Sequence, residues 1–493
     1  MKLCHWARVL TICCLMLGSA QALGQQPRPD EFQALRQRIA AQDARLRQLE
    51  AARLPPVNGN VQFSNYANTT ALERRVAELE SMIGDKGLGK GEADSGKPTQ
   101  KWFGRIHLDH WAFPGNDDGT NFFETNNPAE DISDRVLFRR TRIGVRGDIG
   151  YTMLYKLELD FATPQSPAIK DAHFGWRELP YLQTVLLGNQ KRPYGLDTLN
   201  SSRYNVFMER PFAVEAFNQG ARRVGVQSYG VSQDQRFNWR YGAFLSTDVQ
   251  RTGIYLATSP GMHHYQPEIA GRLANTIWYD ETSGGRGYAH WGVSGAWAFN
   301  DYTATNNTAV FKTRPEARTT MRWIDTGAIM NADDYGLLGF EGVINVGALQ
   351  IVGEYQRVWV RRMGMSDLEF GGGYLFASYF LTGEHIPWSR KSGTIGRTKP
   401  FENFFLVDDC DGARGHGLGA WQIAARYSYG DFTDDNVYGG VGQSFTFGLN
   451  WWWTAYSRMQ FNYIIGDIDD RDPTMPPNAA NYQIIGSRFA VDF

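Results

Sequence analysis

Arg140, Arg142 and Arg146 alternate with other residues between Val136 and Asp148, and Lys156, Glu158 and Asp160 do the same between Tyr151 and Phe161. A guanidinium offers a planar fork of donors that matches the edge of an oxyanion, and it stays charged across the physiological range. A row of such groups facing water attracts small anions. The same row facing carboxylates braces a wall through ion pairs, and Asp148, Glu158 and Asp160 share the row, so both readings stand. Lys191 and Arg192 precede Pro193-Tyr194-Gly195, a turn in which Pro presets the backbone and Gly permits a reversal. Two basic groups there would face a constriction or plain solvent. Glu209-Arg210 reads as a pair that pins a loop. Enzyme chemistry lacks its groups. His107 and His110, and the pair His263-His264, have no cysteine or carboxylate companion at metal spacing. Asp408, Asp409, Asp411, Asp434 and Asp435 lack the spacing of a calcium loop. There is no G-x-S-x-G elbow and no phosphate loop. The expectation is a protein that is not an enzyme and uses no cofactor or metal.

The elements that carry these residues read as strands. Successive strand side chains point to opposite faces, so 136–161 is a hairpin with one apolar and one charged face. Burying that charged face in a sandwich core would cost several kcal/mol per unpaired ion, roughly. A soluble sheet with one wet face, or a barrel with lipid outside and water inside, accommodates it. Extending the same parity gives inward-facing Arg105, Arg177, Arg223, Arg240, Arg272, Arg322, Arg426, Arg458 and Arg488. Asp109, Asp171, Glu341, Glu354 and Asp492 join the acids. The basic excess predicts a modestly anion-attracting lumen. Most strand aromatics fall on the outward parity, but Phe138, Phe244, Phe376 and Phe380 fall on the inward one.

The whole chain decides between sheet and barrel. Its 493 residues suit a large barrel with loops, and a net charge of −2 gives no argument for a nucleic-acid partner. Lys2 and Arg8, the apolar run 9–18 and Ala20-Gln21-Ala22 read as a secretory signal over 1–22. Its cleavage would remove Cys4, Cys13 and Cys14 and leave Cys410 without a disulfide partner. No later stretch is apolar for about 18 residues, so a membrane would be crossed by strands. Residues 23–53 contain a heptad seam of Phe32, Ile39 and Leu46 with Leu35, Gln42 and Leu49, a coiled-coil helix. A linker (54–70), a second short coiled-coil helix (71–84) and a Gly/Lys/Asp tether (85–100) follow.

From 101 to 493 some seventeen alternating segments are separated by Gly, Asn, Asp and Pro turns, Thr320–Ala328 among them. A closed bacterial barrel needs an even number, which predicts sixteen strands, with eighteen as the alternative. Trp and Tyr cluster at segment ends, as at Trp451–Trp453, where rings prefer the headgroup level. The last segment alternates to a final Phe493, a pattern that resembles the terminal strand of outer-membrane barrels.

Several blocks resemble the phosphate-selective porin O/P family. They include FRRTRIGVRGDI (138–149), IKDAHFGW (169–176), LLGNQKRPYGL (186–196), SSRYNVFMERP (201–211), the long LTGEHIPWSRKSGTIGRTKPFENF stretch (381–404) and GAWQIAARYSYGDF (419–432). The resemblance implies a homotrimeric, sixteen-stranded, all-β outer-membrane channel of a Gram-negative-type bacterium, narrowed by inward-folded loops and lined by arginine and lysine. The coiled coil lies outside that pattern and fits three chains zipped side by side. The expected function is passive diffusion of small anions, phosphate foremost. The expected pore lining is Arg140, Arg142, Arg146, Lys156, Lys191, Arg192, Arg223, Arg240, Arg426 and Arg458. Rival readings are a general or sugar-permeable porin, or a structural anchor in which 23–100 contacts the cell wall.

Overall fold

A computed structural model describes residues 97–163, 166–246, 266–299, 308–408 and 414–493. The expected signal, both coiled-coil helices, the linker and most of the tether lie outside them, as do Cys410 and His263-His264.

Sixteen strands close into one barrel, each paired antiparallel with its neighbours in sequence order. They are β1 (Lys101–Asn116), β2 (Arg135–Ile149), β3 (Met153–Asp160), β4 (Ala168–Leu179), β5 (Gln183–Lys191), β6 (Arg222–Val231), β7 (Phe237–Leu245) and β8 (Pro267–Tyr279). The circuit continues with β9 (Gly287–Phe299), β10 (Ala332–Val346), β11 (Leu349–Arg362), β12 (Leu368–Phe380), β13 (Ala420–Asp434), β14 (Val437–Thr454), β15 (Ser457–Arg471) and β16 (Ala480–Asp492). β16 closes on β1 with Arg105 opposite Asp492. Phe493 continues the pairing by exchanging backbone hydrogen bonds with Gly104 (2.9 and 3.2 Å). A side chain at Gly104 would collide with the Phe493 ring, so glycine there lets the closing strand approach.

The barrel is inside out. Ile143, Ile269, Phe340, Leu375, Phe445 and Ile485 are exposed on the outer face, whereas Arg105, Glu158, Arg272, Glu341, Asn450 and Arg488 are buried inside. Exposed apolar rows around a polar interior suit hydrocarbon outside the wall. Among the described residues no helix is long and apolar enough to cross a membrane.

Two of the barrel's bulges change which side chains reach the lumen beside β1–β5. His107 pairs with Arg140 but Leu108 pairs with Phe138, so Arg139 has no partner on β1. Phe138 is therefore turned outward, 55% exposed, in place of the expected lumen position, and Arg139 and Arg140 both turn inward. Leu137, expected outside, packs against the interior apolar cluster. On β4, Leu157 pairs with Ala172 and Leu159 with Ile169, leaving Lys170 and Asp171 opposite one residue.

Three connections fold into the lumen. The helix α1 (Asp118–Thr125) caps the β1–β2 connection, and residues 192–221, the first insertion, carry the helices α2 (Leu196–Leu199) and α3 (Phe212–Phe217). Residues 308–331 form the second insertion. Thr320–Ala328, expected as a strand, belongs to it. Its backbone amides at Thr320 and Met321 donate to the Glu124 carboxylate (2.7 and 3.1 Å), as does the Trp323 indole (2.9 Å). Trp323 and Ile324 are fully buried in the interior cluster with Phe212, Phe217 and Phe311. With these amides bonded to Glu124, Trp323 and Ile324 held in the core and no barrel strand as partner, the segment is not a seventeenth strand. The third insertion, 381–419, comes from the rim where β1 begins and β16 ends. Trp388 donates to Thr276 Oγ1 (3.0 Å) and stacks on Tyr288, and the Arg272 guanidinium donates to the Gly393 carbonyl (2.8 Å). Ile395 N donates to Asn200 Oδ1 (3.1 Å), so this insertion meets the first.

Candidate functional site

The insertions fill much of the lumen with an apolar core, yet leave polar space along the β1–β5 wall. Two adjoining cavities lie there, of about 220 and 290 Å³. Arg140, Arg142, Arg210, Ala221 and Arg222 line both. The first is lined by seven basic and two acidic side chains. The second has eight basic and two acidic.

The carboxylates that line the cavities each serve more than one cation. Glu158 accepts from Arg105 (3.0 Å) and Arg142 (3.2 Å) and lies 3.3 Å from Lys156. Asp171 accepts from Arg222 (2.5 Å) and from Lys156. Asp160 accepts from Arg142 (2.7 Å). Glu209 accepts two bonds from Arg139 (2.7 and 2.9 Å) and one from Arg488 (2.8 Å). Burial alone would push the Glu209 carboxyl up; Arg139, Arg488 and Arg140 instead hold it well below the usual carboxylate range. Sharing leaves positive charge uncancelled. Among the described residues, the Lys170 ammonium and the Arg318 guanidinium make no hydrogen bond or ion pair, and Lys170 lines the first cavity. Burial, with Arg318 and Arg322 beside it, pushes the Arg314 guanidinium down to about 10, a sign of crowded cations.

The expected lining residues divide. Arg140, Arg142, Lys156 and Lys191 meet at the cavities; Lys191 Nζ also donates to the carbonyls of Leu199 (3.0 Å) and Asn200 (2.8 Å). Three others, expected on the pore surface, are buried braces. Arg192 is fully buried against Glu268 (2.5 Å) and Asn218 (2.5 Å). Arg223 donates to the carbonyls of Ser246, Gln219 and Gly220 at 2.6–2.9 Å. Arg426 joins Glu316 (2.6 Å) and the Glu209 carbonyl (3.0 Å). Each ties an insertion to the wall, which needs a desolvated, multiply bonded guanidinium. Arg146 is exposed, 5.6 Å from the Phe103 ring, outside both cavities. Arg240 lies over Tyr229 (5.0 Å) and Arg458 over Trp452 (4.4 Å). Arg322 belongs to an insertion and lines the first cavity, beside Glu215 (3.4 Å).

Parity reasoning missed Lys170 and Arg139, because the two bulges put adjacent residues on one face. It paired Glu209 with its neighbour Arg210, but Glu209 binds Arg139 and Arg488 while Arg210 binds Asp197 (2.7 Å). Among the described residues no group of three or more His, Cys, Asp and Glu could hold a metal ion.

A sequence model of the family described as "Phosphate-selective porin O and P" matches residues 114–493. Over 504 aligned residues the chain is 26% identical to an uncharacterized protein of Caulobacter vibrioides, covering 97% of this chain and 94% of that one. Among solved structures, an anion-selective porin from Comamonas acidovorans superposes with a TM-score of 0.45 at 13% identity, over 80% of this chain and 99% of that chain. The outer membrane channel DcaP of Acinetobacter baumannii gives 0.46 at 12% identity, over 82% and 99%.

Proposed function

The chain belongs to the phosphate-selective porin O and P family, an outer-membrane porin by that membership, and from this premise we propose that it conducts small anions, phosphate foremost, along the basic path beside β1–β5. The family points to a channel rather than an enzyme. The observation that carries the anion reading is the sharing of Arg140, Arg142, Arg210 and Arg222 by two consecutive cavities, each with a large basic excess. An anion entering either cavity exchanges part of its water for guanidinium and ammonium donors. It leaves because those donors are already partly satisfied by Glu158, Asp160 and Asp171. Lys170, with no competing carboxylate in contact, is the first cation to offer such an exchange.

Three chains form the working assembly in this reading, with residues 23–53 and 71–84 zipped as a coiled coil and 23–100 reaching toward the cell wall. A general pore is the second reading, favoured by the same ion pairs, which hold cations and carboxylates in one wall. Reversal potential across a planar bilayer separates the two. Under a chloride gradient the purified protein should give an anion-selective potential, and added phosphate should block the chloride current. A potential near zero or cation-selective would leave a general porin.

A further inference from the structure

The insertion from the terminal rim does more than enter the lumen. After Arg397 it turns out again and forms a hairpin, Phe404–Asp408 paired with Arg414–Leu418. This hairpin lies on the outer face of the barrel. Alternation along β14 puts Phe445, Phe447, Trp451 and Trp453 outward, with Asn450 and Trp452 buried inside. Phe404 packs edge-on against Trp451 (4.6 Å), and the Trp451 indole donates to the Leu418 carbonyl (2.9 Å). Trp451 also stacks on the outward Trp421 (4.8 Å). The hairpin thus extends the outward aromatic band beyond the rim.

Its own side chains remain uncovered. Phe404, Phe405 and Leu406 are consecutive and exposed by 40–57%, Phe401 by 66% and Leu418 by 71%. Phe404 and Leu406 share one face with Leu418 and His416 and Phe405 takes the other, so both faces carry exposed apolar side chains where a hairpin bathed in water would keep one face polar. Trp and Tyr bands mark the headgroup level of a bilayer, and this hairpin is continuous with one.

We propose that the paired strands Phe404–Asp408 and Arg414–Leu418 form a membrane-interface anchor that sinks Phe405, Leu406 and Leu418 into the phospholipid headgroup and upper acyl region next to the Trp421/Trp451/Trp453 band. The rim it hangs from carries the start of β1, the end of β16 and the short turns 150–152, 347–348 and 455–456, which is the periplasmic rim in barrels of this plan. The leaflet is therefore the inner one. The anchor would hold the foot of the lumen insertion at a set depth, through residues 381–403.

The test places a polarity-sensitive maleimide on Leu418→Cys, and separately on Leu406→Cys, in full-length protein carrying Cys410→Ser. The protein is reconstituted in phosphatidylethanolamine/phosphatidylglycerol vesicles containing lipid spin-labelled near the headgroup. The expected result is a blue-shifted label that loses most of its emission to the spin-labelled lipid and little to iodide. A label quenched by iodide and indifferent to the lipid would overturn the proposal. So would efficient cross-linking between copies of the unlabelled Leu418→Cys or Leu406→Cys protein, which would assign the hairpin to a subunit contact. Leu418 is the most exposed of the group, so its substitution leaves the barrel intact if Leu406→Cys does not fold.

Discussion

At the residue scale, the lumen contains two kinds of cation with opposite duties. Lys170 faces the first cavity with no contacting carboxylate, so Lys170→Gln removes field without breaking a bond. Anion-over-cation permeability should fall about two-fold, with thermal stability unchanged, as read by reversal potential and melting. Glu209 is the converse: it neutralises Arg139 and Arg488 inside the barrel. Glu209→Gln takes the carboxylate from the partly buried Arg139, while Arg488 keeps Asp109 (2.6 Å), and should cost about 1.5–3 kcal/mol, visible as a lowered melting temperature. The sign of its pH dependence follows from a carboxyl held well below its usual range. Its contribution is complete above the unfolded value, roughly pH 4, and is lost only as pH falls through the lower folded value. Wild-type melting should therefore be flat from neutrality to about pH 5 and drop in stronger acid, while the Gln variant lacks that step.

At the scale of elements, the insertions decide the pore. An apolar core formed by α3, Phe311 and Trp323 occupies lumen that a plain barrel would leave to water. The insertion 381–419 is keyed to the wall by Trp388, which is buried between Tyr288 and His290 (ring distances 5.4 and 4.4 Å). Trp388→Ala removes that key, at a cost of about 3–5 kcal/mol. Single-channel recordings should show larger and noisier conductance, because a freed insertion no longer confines the path. An unchanged conductance would mean that Gly393 and Ile395 hold the insertion by themselves. The bulges matter at this scale too. Each bends a strand and turns an extra cation, Arg139 or Lys170, toward the interior.

At the scale of the molecule, selectivity arises from summed charge in a narrow polar path, so it must be screened by salt. The Debye length falls from roughly 30 Å at 0.01 M to roughly 3 Å at 1 M. Anion selectivity should decline across that range of KCl, and a salt-independent ratio would point to size exclusion instead. Residues 23–100 precede the barrel, and in the proposed assembly they join chains rather than line the pore. Deleting them should leave the conductance per pore intact while reducing trimer recovery on native gels.

The sequence alone determined the inside-out barrel. Alternation is a local property: Ile143 against Arg142, or Phe447 against Thr446, states which face meets lipid without reference to any partner. The outward Trp band and the family blocks were legible for the same reason; alternation by itself suggested seventeen segments, and sixteen came from the even count that closure requires. What the tertiary structure decided was which cations line the path and which brace the wall. Arg192, Arg223 and Arg426 look like Arg142 in a strand-parity reading; only the arrival of Glu268, the 219–220 carbonyls and Glu316 from distant segments makes them buried struts. Thr320–Ala328 alternates well enough for a strand, but Glu124 claims its amides and the interior core claims Trp323. A bulge at Arg139 or Lys170 depends on the opposing strand's register, and a pairing partner is not written in the strand that carries the bulge.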